Sequence, residues 1–538
     1  MDISSSKISS GIFRGSITLA VFSLVSRLTG LLRDRILAGR FGAGETLDIY
    51  YAAFKIPDFI FHLVIIGAVS AAFIPTFINY YERDKNEGWR LASNFLNTAL
   101  FFVITASLIL IIFIPDLMPL VAPGFGPLQT AYAVDLTRIM FLSPVIFAIS
   151  TVLGSILQSL RRFLAFAIAP SFYNFGIIFG ALYLEPSLGL SGLGWGVIIG
   201  ALLHLLIQLP AVFRAGFRWF AVFDFADSGL RKVFKLMMPR TLGLAVTHIN
   251  LIIITAIAST ITVGSISIFN FANNLQFLPI SMIGVSISIA IFPTLSSLSG
   301  RDNEAFINDY LSAMKQIIFF GVPVSFAMFI FREPIVALLL GVGRFGPEDI
   351  GLTAAAVGIF AFSALAISLV SLINRAFYAF HNTVIPLVVG AISVSLNIVL
   401  SFLLVGWFKI EEFSLFWQKI LGVSDGPAFS IIGLALAWSL SHVLYSVLIH
   451  LKFIKFAGIK KSGIWQYMSK TIGASLLSCG ILIFALPYIP KISVLSGFVS
   501  QFLSLSLDVL IFGIMAFVFC RIFGIKEAVI PSRFLRRV

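Results

Sequence analysis

The chain has 538 residues, of which 59% are hydrophobic and only 11% charged, and its formal net charge is +13. Soluble domains run near ~45–50% apolar and ~25% charged, which excludes a sizeable water-soluble catalytic domain and indicates a polytopic membrane protein. The two cysteines, Cys479 and Cys520, both lie in apolar runs, so neither a disulfide framework nor a zinc cluster is expected.

A span of about 20 apolar residues crosses a bilayer, and about fourteen such stretches follow one another along the chain. They cover 16–38, 47–80, 91–115, 129–157, 164–184, 190–213, 233–259, 266–298, 306–331, 350–374, 384–407, 428–450, 468–488 and 497–520. The second and eighth are long and are expected to be broken or tilted. Upstream, Met1 to Gly15 is polar and weakly basic, with no short apolar core ending in a small-residue cleavage site, so no removable signal peptide is expected.

The basic excess is a topology signal and not a nucleic-acid footprint. With a cytoplasmic N-terminus, the inner loops hold Arg83, Lys85, Arg90, Arg161, Arg162, Arg214, Arg218, Arg231, Lys232 and Lys235. The inner set continues with Lys452, Lys455, Lys460, Lys461, Arg521, Lys526, Arg533, Arg536 and Arg537. The outer loops hold Arg40, Arg332, Arg344, Lys409, Lys419 and Lys491. That asymmetry predicts both termini in the cytoplasm.

The first span carries Arg27, Arg33, Asp34 and Arg35 inside an apolar stretch. A cation at mid-bilayer costs roughly 2.5–3.5 kcal/mol even on lenient scales, so such charges face a polar interior. Arg27 and Arg33 are separated by about 600° of helical rotation and project within a broad common sector. The planar guanidinium fork suits phosphate. These residues point to a cavity that handles an anionic, phosphorylated amphiphile. Further on, Asp48 and Lys55 fall on similar faces of the second span, and Asp58 follows. Asp135 and Arg138 are spaced as a neutralising pair. Asn270, Asn273, Asn274 and Gln276 form an amide cluster in the eighth span, and such amides either join helices or line a cavity. His248 and His442 are read as satisfied by neighbouring helices.

Two halves repeat. Gly67 to Phe77, with Pro75-Thr76, finds its counterpart in Gly284 to Leu295, with Pro293-Thr294, and Ala53-Phe54-Lys55 matches Ala272-Asn273-Asn274. An even number of spans separates the pairs, so the repeats are parallel, a common transporter plan with its site between the halves. The expected division is a six-helix lobe over 1–213, an interfacial linker over 214–231, a second six-helix lobe over 232–455, and an added helix pair with a basic tail over 456–538. Residues 409–427 read as a short amphipathic surface helix.

Ser26-Arg27, Gly30, Arg33-Asp34, Phe41-Gly42-Ala43-Gly44 and Asp48 together resemble the MurJ (MviN) lipid II flippases of the multidrug/oligosaccharidyl-lipid/polysaccharide exporter superfamily. The likeness continues through Ala53 to Pro57, Ala72 to Pro75, Ala169-Pro170 with Asn174, Gly343-Arg344-Phe345, and Arg375 to Tyr378 with Thr383 and Pro386. The resemblance implies fourteen helices, with two lobes forming a V plus a helix pair. It implies transport of lipid II across the inner membrane by alternating access, with Arg27 and Arg33 near the pyrophosphate and Asp34 and Asp48 as accompanying acids. Lys55 and Asn274 join the expected substrate-binding set.

The chain also departs from the family pattern. Paired arginines of the second helix are replaced by Phe61-His62, an acid by Ile66, and an arginine of the eighth helix by Asn274. The family's cation site in the second lobe finds only Asn397 and Ser401 as candidate oxygen ligands. No cofactor is expected. The chain carries no P-loop, so the membrane potential or an ion gradient is the expected driving force. Partners are expected to be lipid II or a related isoprenoid-pyrophosphate lipid, membrane lipids and proteins of cell-wall synthesis, with no nucleic acid. Export of another isoprenoid-linked glycan, or a transport-inactive scaffold, stands as the alternative. Cationic drugs fit poorly beside Arg27, Arg33 and Lys55. A membrane glycosyltransferase or phosphatase would need clustered acids or histidines, where the outer loops offer only scattered Glu411, Glu412 and Asp425.

Overall fold

The computed structural model describes residues 3–63, 73–423, 427–459, 462–486, 497–525 and 527, and no β-strand occurs among them. Ile66, the Gly67 end of the first repeat, Asp425, Lys460, Lys461, Lys491, Lys526 and the basic tail with Arg533, Arg536 and Arg537 lie outside the described residues.

The helices in chain order are α1 (Ile3–Phe41), α2 (Glu45–Phe61), α3 (Ile74–Arg83), α4 (Lys85–Val121), α5 (Pro127–Met140), α6 (Leu142–Ser159) and α7 (Phe163–Phe179). Then follow α8 (Glu185–Leu188), α9 (Leu190–Leu206), α10 (Leu209–Arg214), α11 (Ser228–Ser259), α12 (Ser265–Pro279), α13 (Ser286–Leu298) and α14 (Asn303–Ile330). The chain closes with α15 (Arg332–Leu340), α16 (Pro347–Ala379), α17 (Val384–Trp407), α18 (Glu411–Leu421), α19 (Ile431–Ala457), α20 (Ile464–Ala485) and α21 (Phe498–Ile522).

Twelve helical spans among the described residues are long and apolar enough to cross a membrane, and they coincide in order with the third to fourteenth stretches read from the sequence. The protein is an all-α, multi-pass membrane protein. Backbone polar groups have no water to bond in hydrocarbon, and helices satisfy them within the segment. The eighth span is broken as expected: a π-helical turn, Ile280–Val285, separates α12 from α13. A π-helical pattern also starts at His62, at the same distance before Pro75 as Ile280 stands before Pro293. The expected surface helix at 409–427 is α18, closed by Gly422 in the left-handed conformation.

Packing groups the chain into two units, one of residues 1–267 with 342–345, the other of 268–341 with 346–538. In the first, α1 packs on α7, α7 on α9, α2 on α5, and α11 on α4 and α2. Its core runs through Phe73, Phe77, Trp89, Phe95, Val152, Ile156 and Val233. In the second, α16 and α17 pack on α19, and α14 on α16. Phe306, Tyr310, Ile317, Leu372, Phe377 and Phe453 form the centre. The pair α20 and α21 joins this unit, with Cys479, Leu482, Phe512 and Ala516 against Phe331. Both cysteines are buried and unbridged.

Lipid is as apolar as leucine, so helices in a bilayer associate through close packing of small residues. The α7–α9 contact is of this kind. Gly176 on α7 and Gly180, at the start of the π-helical turn that continues it, meet Gly192, Gly196 and Gly200, spaced one turn apart on α9, backbone against backbone. A methyl group added at Gly176 would overlap the backbone of Gly200. Gly176→Ala is therefore expected to destabilise the protein by about 1–3 kcal/mol, as overpacking does. Gly513→Ala, where a methyl group meets nothing within 4 Å, should be neutral or slightly stabilising. Thermal unfolding of both variants in detergent checks this; equal melting temperatures would contradict the packing.

Candidate functional site

A long helix gives Arg33 a fixed origin, and two neighbours fix its end. Its Nε and one terminal nitrogen donate to Asp34 Oδ1 at 3.0 and 2.7 Å, and the other terminal nitrogen donates to Asn174 Oδ1 at 3.1 Å. Asn174 stands on α7 and in turn donates to Ser26 O (3.3 Å) and Thr29 Oγ1 (3.2 Å) of α1. Three of the five guanidinium N–H groups are thus engaged within the protein. The remaining two have no hydrogen-bond partner among the described residues, and the side chain keeps 23% of its surface accessible while that of Asp34 keeps 7%. Tyr50 and Tyr51 of α2 lie within electrostatic reach of Arg33. Arg27 is half-buried on the same helix. The two arginines stand about 9 Å apart along α1 and about 120° apart around it.

Asn174 is the residue of this site that sequence reasoning did not single out as functional. Its signal was an amide just after Pro170 in an otherwise apolar helix, where an unpartnered amide is costly.

Lys55 and Asp58 of α2 and His62, just past its end, follow one another at helical spacing and share a face. Asp58 interacts electrostatically with both Lys55 and His62. His62 Nδ1 lies 2.8 Å from Asp58 O, and its ring meets that of His248 of α11 at 4.0 Å, tilted by 38°. Phe61, the other residue at the paired-arginine positions of the resemblance, packs against Phe147 at 5.3 Å. The family's pair of fixed charges is thus replaced by an apolar contact at Phe61 and by His62, whose ring meets His248. Neither Asp58 nor His248 stood among the expected site residues. Asp135 and Arg138 do meet, at 3.3 Å, on an exposed face.

Asp48 is 3% exposed, and its carboxylate accepts from Gly264 N (2.6 Å), Ser267 N (2.8 Å) and Ser267 Oγ (2.7 Å). It caps the start of α12, satisfying free helix donors and opposing the positive end of the helix dipole. Gly264, at φ +91°, permits this approach, since an added Cβ there would strike Ala43 O. At the end of α1, Arg40 pairs with Glu185 at 2.8 Å and Arg344 N donates to Gly39 O at 2.8 Å. These residues, with Phe41 and Gly343, line a polar recess of about 350 Å³.

In the second unit, Asn274 is half-buried on α12. One helical face away, the Gln276 amide sits among Asn273 (2.8 Å), Ser363 Oγ (3.0 Å) and Trp438 Nε1 (3.2 Å), a helix-joining role. Asn397 and Ser401 are buried on α17. Asn397 Nδ2 donates to Ser441 Oγ at 3.2 Å, while Asn397 Oδ1 and Ser401 Oγ have no hydrogen-bond partner among the described residues. No group of three or more histidine, cysteine or acidic residues suited to a metal ion occurs among the described residues.

Comparison with known proteins places this geometry in a family. The family model described as "Lipid II flippase MurJ" matches residues 37–503. A probable lipid II flippase MurJ of Buchnera aphidicola (subsp. Acyrthosiphon pisum) is 29% identical over 86% of this chain and 98% of its own length. The lipid II flippase MurJ of Burkholderia cenocepacia is 26% identical over 88% of this chain and 89% of its own. Among solved structures, a lipid II flippase MurJ in an inward closed conformation superposes with a TM-score of 0.73 at 22% identity, covering 94% of this chain and 99% of that one. A multidrug-resistance MATE family transporter of the MOP superfamily shares the fold more distantly, with a TM-score of 0.64 at 13% identity over 83% of this chain and 99% of that one. The chain belongs to the lipid II flippase MurJ family, a family of transporters and not of enzymes.

Proposed function

We propose that this protein moves lipid II, the undecaprenyl-pyrophosphate-linked peptidoglycan precursor, from the cytoplasmic to the outer leaflet of the inner membrane. The lobes over 1–213 and 232–455 alternate access to a central cavity, and the helix pair within 456–538 offers its groove to the isoprenoid tail. The distribution of basic residues supports cytoplasmic termini. The observation that carries the reading is the Arg33 guanidinium, held by Asp34 and Asn174 with two donors left over. A fork held in this way loses little entropy on binding and makes charge-assisted bonds to a diphosphate. Arg27, on an adjacent flank of α1, supplies the second charge; a pyrophosphate is long enough to address both, where one phosphate is not. Lys55 and Asn274 extend the polar lining, and Asp48 serves the site through the position of α12.

The contact of His62 with His248 supports a second reading, an isoprenoid-linked glycan with a different headgroup, because Phe61-His62 stands where a fixed positive pair is expected in the family. Lipid binding to the purified protein by native mass spectrometry separates the two. Lipid II should be retained over undecaprenyl phosphate, and Arg27→Ala/Arg33→Ala should weaken lipid II by roughly 10- to 100-fold, the loss of one to two charge-assisted bonds. Asn174→Ala, which keeps the charges and frees the fork, should weaken it by less. Retention that ignores the headgroup, or that survives the double substitution, would sink the assignment.

The flow of lipid needs a driving force. Asn397 Oδ1 and Ser401 Oγ, buried oxygens one turn apart with no hydrogen-bond partner among the described residues, are the ligands this reading gives a coupling cation. A bare buried oxygen costs about 1–3 kcal/mol, which a cation would recover. Sodium should then raise the melting temperature above that in choline, by an amount that grows with concentration. Asn397→Leu should abolish the increment while leaving the choline value near wild type. A sodium effect that persists in this variant would remove the pair from consideration.

A further inference from the structure

Between α10 and α11 the chain runs without regular helix, yet its backbone is closely held. Side chains from the first turns of α4 stitch it down. Phe220 N donates to Ser93 Oγ at 3.1 Å, and Asn94 both accepts from Asp224 N (2.9 Å) and donates to Asp224 O (2.8 Å). Asn97 donates to Val222 O at 2.8 Å and accepts from Trp219 Nε1 at 3.0 Å. Phe217 seats edge-on against Trp89 of α4 at 5.5 Å. Backbone groups that an ordinary surface loop leaves to water bond instead to one transmembrane helix, which sets the segment at a fixed depth.

The outward side chains divide into aromatics and cations. Phe213, Trp219, Phe223 and Phe225 are 65%, 60%, 50% and 47% exposed. Phe223 packs on Phe101 at 5.5 Å and Phe225 on Phe102 at 6.3 Å. Phe101 and Phe102 begin the exposed apolar stripe of α4, which continues through Leu108 and Ile112, a surface that only hydrocarbon covers without cost. The aromatic group is continuous with that stripe and sits where aromatic belts sit, at the edge of the hydrocarbon. Around it Arg214, Arg218, Arg231, Lys232 and Lys235 are all exposed. Of the two acids in the segment, Asp224 is exposed and Asp227 half-buried, and each spends one carboxylate oxygen on backbone: Asp224 Oδ1 accepts from Ala226 N and Asp227 Oδ1 from Leu230 N, both at 2.7 Å. With five exposed cations against these two acids, the surface is aromatic and net positive.

We propose that this segment binds anionic phospholipid headgroups of the leaflet it borders. Trp219, Phe223 and Phe225 lie at the level of the acyl esters, and Arg214 and Arg218 take the phosphodiester. Interfacial binding of this kind combines buried apolar area with attraction to anionic lipid. Each basic residue near such a surface raises affinity by about fivefold. The charge of the leaflet thereby holds the connection between α10 and α11 to the membrane.

The full chain in detergent, titrated with dioleoyl-phosphatidylglycerol or dioleoyl-phosphatidylcholine and read by native mass spectrometry, tests this. Wild type should retain phosphatidylglycerol in preference. Arg214→Gln/Arg218→Gln should weaken phosphatidylglycerol by about 25-fold, at about fivefold per charge, with phosphatidylcholine unchanged. Arg214→Lys/Arg218→Lys should keep most of the affinity, and Lys452→Gln/Lys455→Gln, an exposed pair on α19 of the second unit, should change it little. Trp219→Ala/Phe223→Ala should weaken both lipids alike. No preference in wild type, or an equal loss in the α19 pair, would overturn the proposal. Complete displacement by excess inorganic phosphate would assign the arginines to free phosphate instead.

Discussion

The first unit holds the guanidinium of Arg33 in a contact between two apolar helices, α1 and α7, without leaving it bare. A lone cation there is expensive, and a fully neutralised one is useless for binding an anion. Arg33 sits between these limits. Asp34, its immediate neighbour, compensates the charge, and Asn174 from α7 fixes the plane of the fork. Asn174 can do so only because α1 and α7 are in close contact, and α7 is itself located by its glycine contact with α9. The geometry of one side chain is thus set by a chain of small-residue packing that contains no charge.

Local and long-range features differed in how far the sequence exposed them. Twelve spans could be placed from hydropathy alone because bilayer thickness imposes a length that each segment meets by itself. The break in the eighth span was legible as excess length, and Arg27, Arg33 and Asp34 as charges in an apolar run. Partners were not legible, since they lie far apart in the chain. Asp48 reads from the sequence as an acid accompanying the arginines; its carboxylate instead caps α12, more than two hundred residues away. Asn174 could be seen as an isolated amide, but nothing local named its partner. His62 stood out as a departure from the family, yet its contact with His248 depends on how α11 returns against α2.

That departure changes the character of the lining more than its location. Arginine holds its charge under any condition the protein meets, whereas at His62 the family's fixed charge gives way to an imidazole that meets His248 of α11. That region groups Lys55, Asp58, His62 and His248, while Arg33 keeps a fixed charge between Asp34 and Asn174.

The cap on α12 limits how that helix can move. Its N-terminal residues, Ser265 to Ser267, group with the first unit, while Asn270 to Gln276 group with the second. A buried carboxylate that accepts three hydrogen bonds cannot release them cheaply, because the charge would be left without water or donors, at a cost of several kcal/mol. Opening at the Asp48 junction would require the carboxylate to gain a proton or a replacement donor at the same moment. In any rearrangement that supplies neither, the start of α12 travels with α2, and the strain passes to the softer part of the span. That part is the π-helical turn at Ile280–Val285, where the regular hydrogen-bond ladder is already interrupted and a bend displaces the fewest bonds.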